Sequence, residues 1–474
     1  TTTCTSHSSV DSAKPIVDIT ELSDTLHTLL ILIYPVPKPP PGSFALIEAA
    51  LVAAQKYELE LPIQALKNDL RAPTNVLGDS TLRVWAIACR LRLEDVAKYA
   101  ASYLTLLGFD RLRDPDDAVL QGVSAGDYFR LRVFCRNKIA FIYNAGATFK
   151  FMEPPKGGSK ATNAPVLDAA SNGRAEASFC TVPYPDVLVR SSNGAEAPAH
   201  RCVLAMASPV LRDKLASRLP VTYSSPLPVT GQYQSAASPL PVLQLDEPSD
   251  ILWPLLDTCC YSDVQRPEQH SPSPSLFILT RMVTAAEKYE MAHGLHVRRA
   301  RWNALAANSP LDAYLVAAEA GLNALVKDAA RLLVNQPSAV CTQYSAKLEN
   351  APALAYHRLL VYYSRCHDAL KAELDMVKAQ YPDNPVLPPA TGPKQDRQWT
   401  LHPFLDKIGD SAISGADGII SATRSLLPEY IQWRSTETSL SSALWQTLST
   451  RLENAIKKVP SNCSCNASSR QYDR

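Results

Sequence analysis

Glycine is scarce, with 17 residues in a chain of 474. No Gly-x-Gly-x-x-Gly run and no phosphate-loop pattern occurs, so the backbone cradles that hold nucleotide phosphates are excluded. Long apolar runs are missing too. The longest, Leu29 to Tyr34, falls far short of the ~20 residues of a membrane-spanning helix. Charge of either sign is not in excess: 47 Lys and Arg stand against 46 Asp and Glu, a net charge of +1. Binding to nucleic acid or an anionic membrane by bulk charge needs a basic surplus, and this chain has none. No His-Glu-x-x-His helix and no Ser-His-Asp order is written, and the nine His are scattered. No catalytic, cofactor-binding or metal-ligating residue is therefore assigned, and the chain reads as a binding protein.

Eleven Cys in a chain this long do not form a disulfide scaffold. Cys89, Cys135, Cys202, Cys259 and Cys260 sit in apolar segments, where a thiol behaves as a small hydrophobe. An odd count inside apolar stretches argues for a reducing, intracellular setting, cytoplasm or nucleus. The rival metal or thiol-enzyme reading would use Cys366-His367 with Cys463 and Cys465. Zinc prefers two close pairs of ligands, which that spacing does not supply.

What the sequence has is itself, twice. Pro15-Ile16-Val17-Asp18-Ile19 matches Pro241-Val242-Leu243-Gln244-Leu245 at an offset of 241 − 15 = 226, and Ser23-Asp24 matches Ser249-Asp250. Ala53-Ala54-Gln55-Lys56-Tyr57-Glu58 returns as Ala285-Ala286-Glu287-Lys288-Tyr289-Glu290 at an offset of 285 − 53 = 232. Ser80-Thr81-Leu82 returns at Ser309-Pro310-Leu311, and Tyr128 with Arg130-Leu131 at Tyr356 with Arg358-Leu359. Each copy reads as a short strand followed by helices. Leu82, Trp85, Ala86, Cys89, Leu93, Val96 and Ala97 recur at helical spacing, as do Leu311, Tyr314, Leu315, Ala318, Leu322, Leu325 and Val326. Leu91-Arg92 and Gly321-Leu322 mark bends. Tyr57 and Tyr289 fall where a core aromatic would, and their charged neighbours read as a solvated edge.

Only the second copy carries a front end. Val187 to Arg190 reads as a strand, Asn193-Gly194 as a hairpin turn, and Glu196 to His200 as a return strand whose Pro198 asks for an edge. Arg201 to Leu215 follows with Val203, Ala207, Leu211 and Leu215 on one face. Ser208-Pro209 ends one short helix and caps the next. Copy one reads as truncated, which predicts exposure of Leu26, Leu29, Leu30 and Ile33.

The block Asp186-Val187-Leu188-Val189, then Ala199-His200-Arg201-Cys202-Val203-Leu204 and Ala207-Ser208-Pro209-Val210-Leu211, resembles the signature of a BTB/POZ domain. The resemblance covers 186–295 of copy two and about 15–60 of copy one. The tandem arrangement is similar to BTB-domain proteins of mushroom-forming fungi. It implies an α+β, predominantly helical chain of tandem units, each a short sheet plus helix pairs followed by a helical extension. The expected division is a truncated unit at 1–150, a flexible linker at 151–185, a complete unit at 186–380, and a Pro-rich segment with a tail helix at 381–474. It also implies protein partners: homodimers or larger assemblies, and for some members a cullin scaffold to which a substrate is recruited. Asp186, His200, Arg201, Leu204 and Leu211 are the residues it marks as interface or structural positions. Asp186 and His200 read foremost as a hydrogen-bonded, partly buried pair fixing hairpin to helix. The cluster Arg298-Arg299-Ala300-Arg301 reads as a solvated face.

Overall fold

A computed structural model describes residues 18–34, 36–37, 42–76, 80–107, 116–138, 149–154, 184–217, 240–259, 275–334, 336, 343–380, 386–387, 399–400, 402, 405–406, 450–452 and 454–459. The described chain is predominantly helical, with a small three-stranded sheet. It divides into two compact units. Unit 1 comprises residues 1–119 and 131–152, and unit 2 comprises 120–130 and 153–474.

The regular elements described in unit 1 are all helices. Its elements are α1 (Ser23–Ile33), α2 (Phe44–Lys56), α3 (Glu60–Leu70), the single turn α4 (Pro73–Val76), α5 (Ser80–Arg90) and α6 (Glu94–Leu107). The short α7 (Asp117–Leu120) and α8 (Ala125–Arg136) follow, and α8 supplies Leu131 to Arg136 to this unit. The helix α2 begins where the Ser43 side chain accepts a hydrogen bond from Leu46 N. The expected apolar stripe is buried, but α5 is buried well beyond one stripe: Thr81, Leu82 and every residue from Val84 to Cys89 are inside. Arg90 ends α5 and grips Glu48 of α2 with two guanidinium nitrogens, at 2.6 and 2.9 Å.

Unit 2 opens with a hairpin, β1 (Val187–Arg190) and β2 (Glu196–Ala199), then α9 (Arg201–Ala207) and α10 (Pro209–Ala216). The strand β3 (Val242–Gln244) pairs parallel to β1, so the order is β2-β1-β3 and Pro198 sits on an edge strand. Next come α11 (Ser249–Leu256) with a 3₁₀ turn at Asp257–Cys259, α12 (Leu276–Lys288), α13 (Ala292–Asn308), α14 (Pro310–Glu319), α15 (Asn323–Val334), a 3₁₀ turn at Ala346–Glu349, and the long α16 (Ala353–Gln380). Pro310 opens α14, where its missing N–H costs nothing. The helix α14 packs against α12, α13, α15 and α16, and is buried from Pro310 to Ala318 except Asp312. A two-residue pair, β4 (Val386–Leu387) and β5 (Trp399–Thr400), lies beyond α16. Most of the Pro-rich tail lies outside the described residues, as do Leu444 and Leu448 of the expected tail helix. Leu452 and Ile456 of that helix are buried.

The repeat survives in the elements. From α2 to α12 the start moves 276 − 44 = 232 and the end 288 − 56 = 232. From α6 to α15 the start moves 323 − 94 = 229, and from α8 to α16 it moves 353 − 125 = 228. Four helices end in the same turn. Glu58, Arg92, Glu290 and Gly321 each adopt positive φ. The next N–H then reaches back, Leu59 to Ala54, Leu93 to Ala88, Met291 to Ala286 and Leu322 to Ala317. Only one of these four left-handed positions carries glycine, although the turn favours it.

Candidate interaction site

The five residues marked by the sequence gather at the front of unit 2. Asp186 is exposed, and its carboxylate accepts from the Arg201 backbone N–H at 2.7 Å, which caps the start of α9. It does not form the partly buried pair with His200 that the sequence suggested. His200 holds the N-cap position of α9 with extended backbone and makes no side-chain cap bond. The Arg201 guanidinium spans the helix pair to the Leu215 carbonyl, 2.6 Å away. Leu204 and Leu211 are fully buried. The break between α9 and α10 falls at Ser208-Pro209 as expected. Ser208 Oγ accepts from Leu211 N at 3.0 Å and donates to the carbonyl of Tyr289. The α9–α10 pair therefore adheres to the Lys-Tyr-Glu motif at the end of α12.

That motif is a clamp, which sequence reasoning missed. Lys56 Nζ lies 2.7 Å from Glu21, and the Tyr57 hydroxyl donates to the same carboxylate. In copy two Lys288 Nζ lies 2.7 Å from Glu247, and Tyr289 donates to Glu247 likewise. The two acids are equivalent, since 247 − 21 = 226 is the offset of the strand block. The Lys56 bond, then the Tyr57 bond, pull the Glu21 carboxyl down to about 2. Burial, with the bond to Glu247, pushes the Tyr289 phenol well above its ordinary range.

The clamps differ in what covers them. In unit 2, Tyr289 is 1% exposed and Leu245, Leu256 and Cys259 are 0%, 1% and 4% exposed. In unit 1, the equivalent Tyr57 is 39% exposed, and Ile19, Leu30 and Ile33 are 41%, 41% and 43% exposed. Tyr57 is thus not the core aromatic that the sequence suggested. Of the four residues expected to be bare, Leu30 and Ile33 are, Leu26 is half-buried and Leu29 is buried. The helix α1 turns Leu29 inward with Thr25.

A second contact pairs like with like inside unit 2. Ala125 N donates to Ala351 O at 2.7 Å and Ala353 N to Val123 O at 2.9 Å, with Ser124 bridged to Pro352. These partners are each other's equivalents, because 352 − 124 and 351 − 123 both equal 228. Tyr128 and its equivalent Tyr356 meet edge to face, 6.3 Å between ring centroids. The Tyr128 hydroxyl sits 3.0 Å from His357 Nδ1. Alongside, the Arg130 guanidinium is held by Asp127 at 2.7 Å and by Glu349. The segments thus obey a local two-fold.

The other marked groups disperse. Arg298 is buried and donates to the Pro254 carbonyl, and Arg299 pairs with Asp328 at 2.6 Å, so the basic cluster is not simply a solvated face. A buried guanidinium on α13 supports the carbonyl of a proline set inside α11. Cys366 is buried on α16, while Cys463 and Cys465 lie outside the described residues. Burial pushes the His367 imidazole down and the Cys135 thiol up to about 11. Among the described residues no three His, Cys, Asp or Glu side chains group as metal ligands, and no helix is long and apolar enough to cross a membrane. No protein-family model, no curated protein and no solved structure matches the chain.

Proposed function

We propose that the chain is a non-catalytic protein-interaction module of the BTB/POZ kind, which self-associates and recruits polypeptide partners. The observation that carries this reading is the open apolar face of unit 1. Four large side chains stand in water where their equivalents in unit 2 are sealed. Removing ~100 Å² of such surface from water is worth about 2.5 kcal/mol, so a partner that covers it gains directly.

Two further features support it. Strand, hairpin and a helix pair broken at Ser208-Pro209 run in the order of the resemblance, and a third strand extends the sheet. The two-fold pairing at Ser124 and Pro352 is the geometry by which identical surfaces associate, residue i to j and j to i. A repeat that already binds its own relative is suited to binding its copy.

Two differently tagged forms of the intact chain, expressed together, test the reading. Complexes carrying both tags are expected. Their absence at any expression level contradicts self-association. Retention of a cullin N-terminal region on the same resin would narrow recruitment to ubiquitin-ligase assembly.

A further inference from the structure

Unit 2 displays what covers such a face. The hairpin and the α9–α10 pair lie over it through three kinds of contact. Asn193 Oδ1, in the hairpin turn, accepts from Ser249 N at the start of α11, 3.1 Å away. Ser208 Oγ bonds the Tyr289 carbonyl, and the Lys214 ammonium stands 5.9 Å from the Tyr289 ring centroid. Leu204, Leu211 and Leu215 are buried on the inner side, and α9 packs on the turn Asp257–Cys259.

Unit 1 keeps the receiving half of each contact. The start of α1 at Ser23 is equivalent to Ser249, and its cap residue Leu22 offers no side-chain bond. The Tyr57 carbonyl is equivalent to that of Tyr289, and among the described residues no hydroxyl reaches it. Ile19, Leu30 and Ile33 offer the apolar floor. Charge agrees as well. Glu21, Asp24 and Glu58 repeat Glu247, Asp250 and Glu290, while Thr20 and Gln55 stand where unit 2 has Asp246 and Glu287, so three acids of the rim are kept. Residues 201–216 carry Arg201, Arg212 and Lys214 against Asp213, a net charge of 3 − 1 = +2.

We propose that this face of unit 1 docks a polypeptide segment built like residues 186–216: an Asn-bearing turn, then two short basic helices broken at Ser-Pro with leucines on the inner side. The proposal rests on the interaction reading above and names the partner chemistry of its exposed face. A lipid or small apolar ligand would leave the helix start and the Tyr57 carbonyl without partners, which a peptide backbone and a serine supply.

The test uses the intact chain and a fluorescent peptide of residues 185–217 carrying Cys202→Ser. Fluorescence anisotropy should show saturable binding. Ile33→Asp in the chain should weaken it about tenfold or more, with an unchanged circular dichroism melt because Ile33 is exposed. Leu211→Asp in the peptide should do the same. Absence of binding overturns the proposal, as does binding indifferent to Ile33→Asp. Native Ile33→Cys protected from a maleimide also overturns it, because the chain would then cover its own face. If both-tag complexes form while the peptide fails to bind, this inference falls and self-association stands. If the peptide binds and no both-tag complexes form, the reverse holds.

Discussion

Tyr57 and Tyr289 carry the same side chain on the same clamp, yet they serve different ends. Tyr289 is enclosed, so Tyr289→Ala opens a cavity and strands part of Glu247; the expected loss is about 3–5 kcal/mol in urea unfolding of the intact chain. Tyr57→Ala removes a ring already in water and should cost under ~1 kcal/mol by the same measurement. Equal losses would mean that the two faces are equally covered. The Glu21 carboxyl gives a pH signature. Its folded value of about 2 lies below the ordinary 4.5, so the ionised clamp stabilises the fold fully above 4.5 and loses that contribution as pH falls toward 2. The stability difference between the natural chain and Glu21→Gln should therefore be flat above 4.5 and shrink below it. A difference that grows on acidification would reverse the sign.

At the scale of elements, the extension of the repeat is fixed by charge buried at a turn. Arg130 holds Asp127 on its own helix and Glu349 on the 3₁₀ turn before α16, with Arg130 and Asp127 side chains 4% and 5% exposed. Gly126 allows this, since a Cβ there would lie 2.5 Å from the Glu349 carboxylate. Arg130→Ala takes the cation away from the buried Asp127 carboxylate and from Glu349, and is expected to cost about 3–5 kcal/mol. Retained stability in thermal unfolding would show that the pair is dispensable. Much of this level was legible beforehand. Helical spacing located α5, α6, α14 and α15, and the Ser208-Pro209 step located the break between α9 and α10. The bends at Leu91-Arg92 and Gly321-Leu322 were legible, but the helix ends at Glu58 and Glu290 were harder, because both adopt a backbone that glycine usually signals. The clamps were not legible either: Glu21 and Lys56 lie 56 − 21 = 35 positions apart, and nothing local announces the pairing. Once the offset is known, the joint return of Glu, Lys and Tyr at 247, 288 and 289 is the signal that would have found them. Asp186 went to a backbone N–H because the hairpin ends beside the first turn of α9, where that donor has no helical partner.

For the whole molecule, the repeat matters more than either copy. One copy carries its cover and the other presents the bare surface, with the acids and the clamp retained. Under the proposed interaction reading, the bare side is the one that takes a neighbour. The two-fold pairing of Tyr128 with Tyr356 adds that relatives of this unit can meet as equals. Light scattering of the intact chain across a wide concentration series at constant salt tests that claim most directly. The mass per particle should climb with concentration toward a defined multiple of 51.7 kDa. A value fixed at the single-chain mass throughout would contradict it.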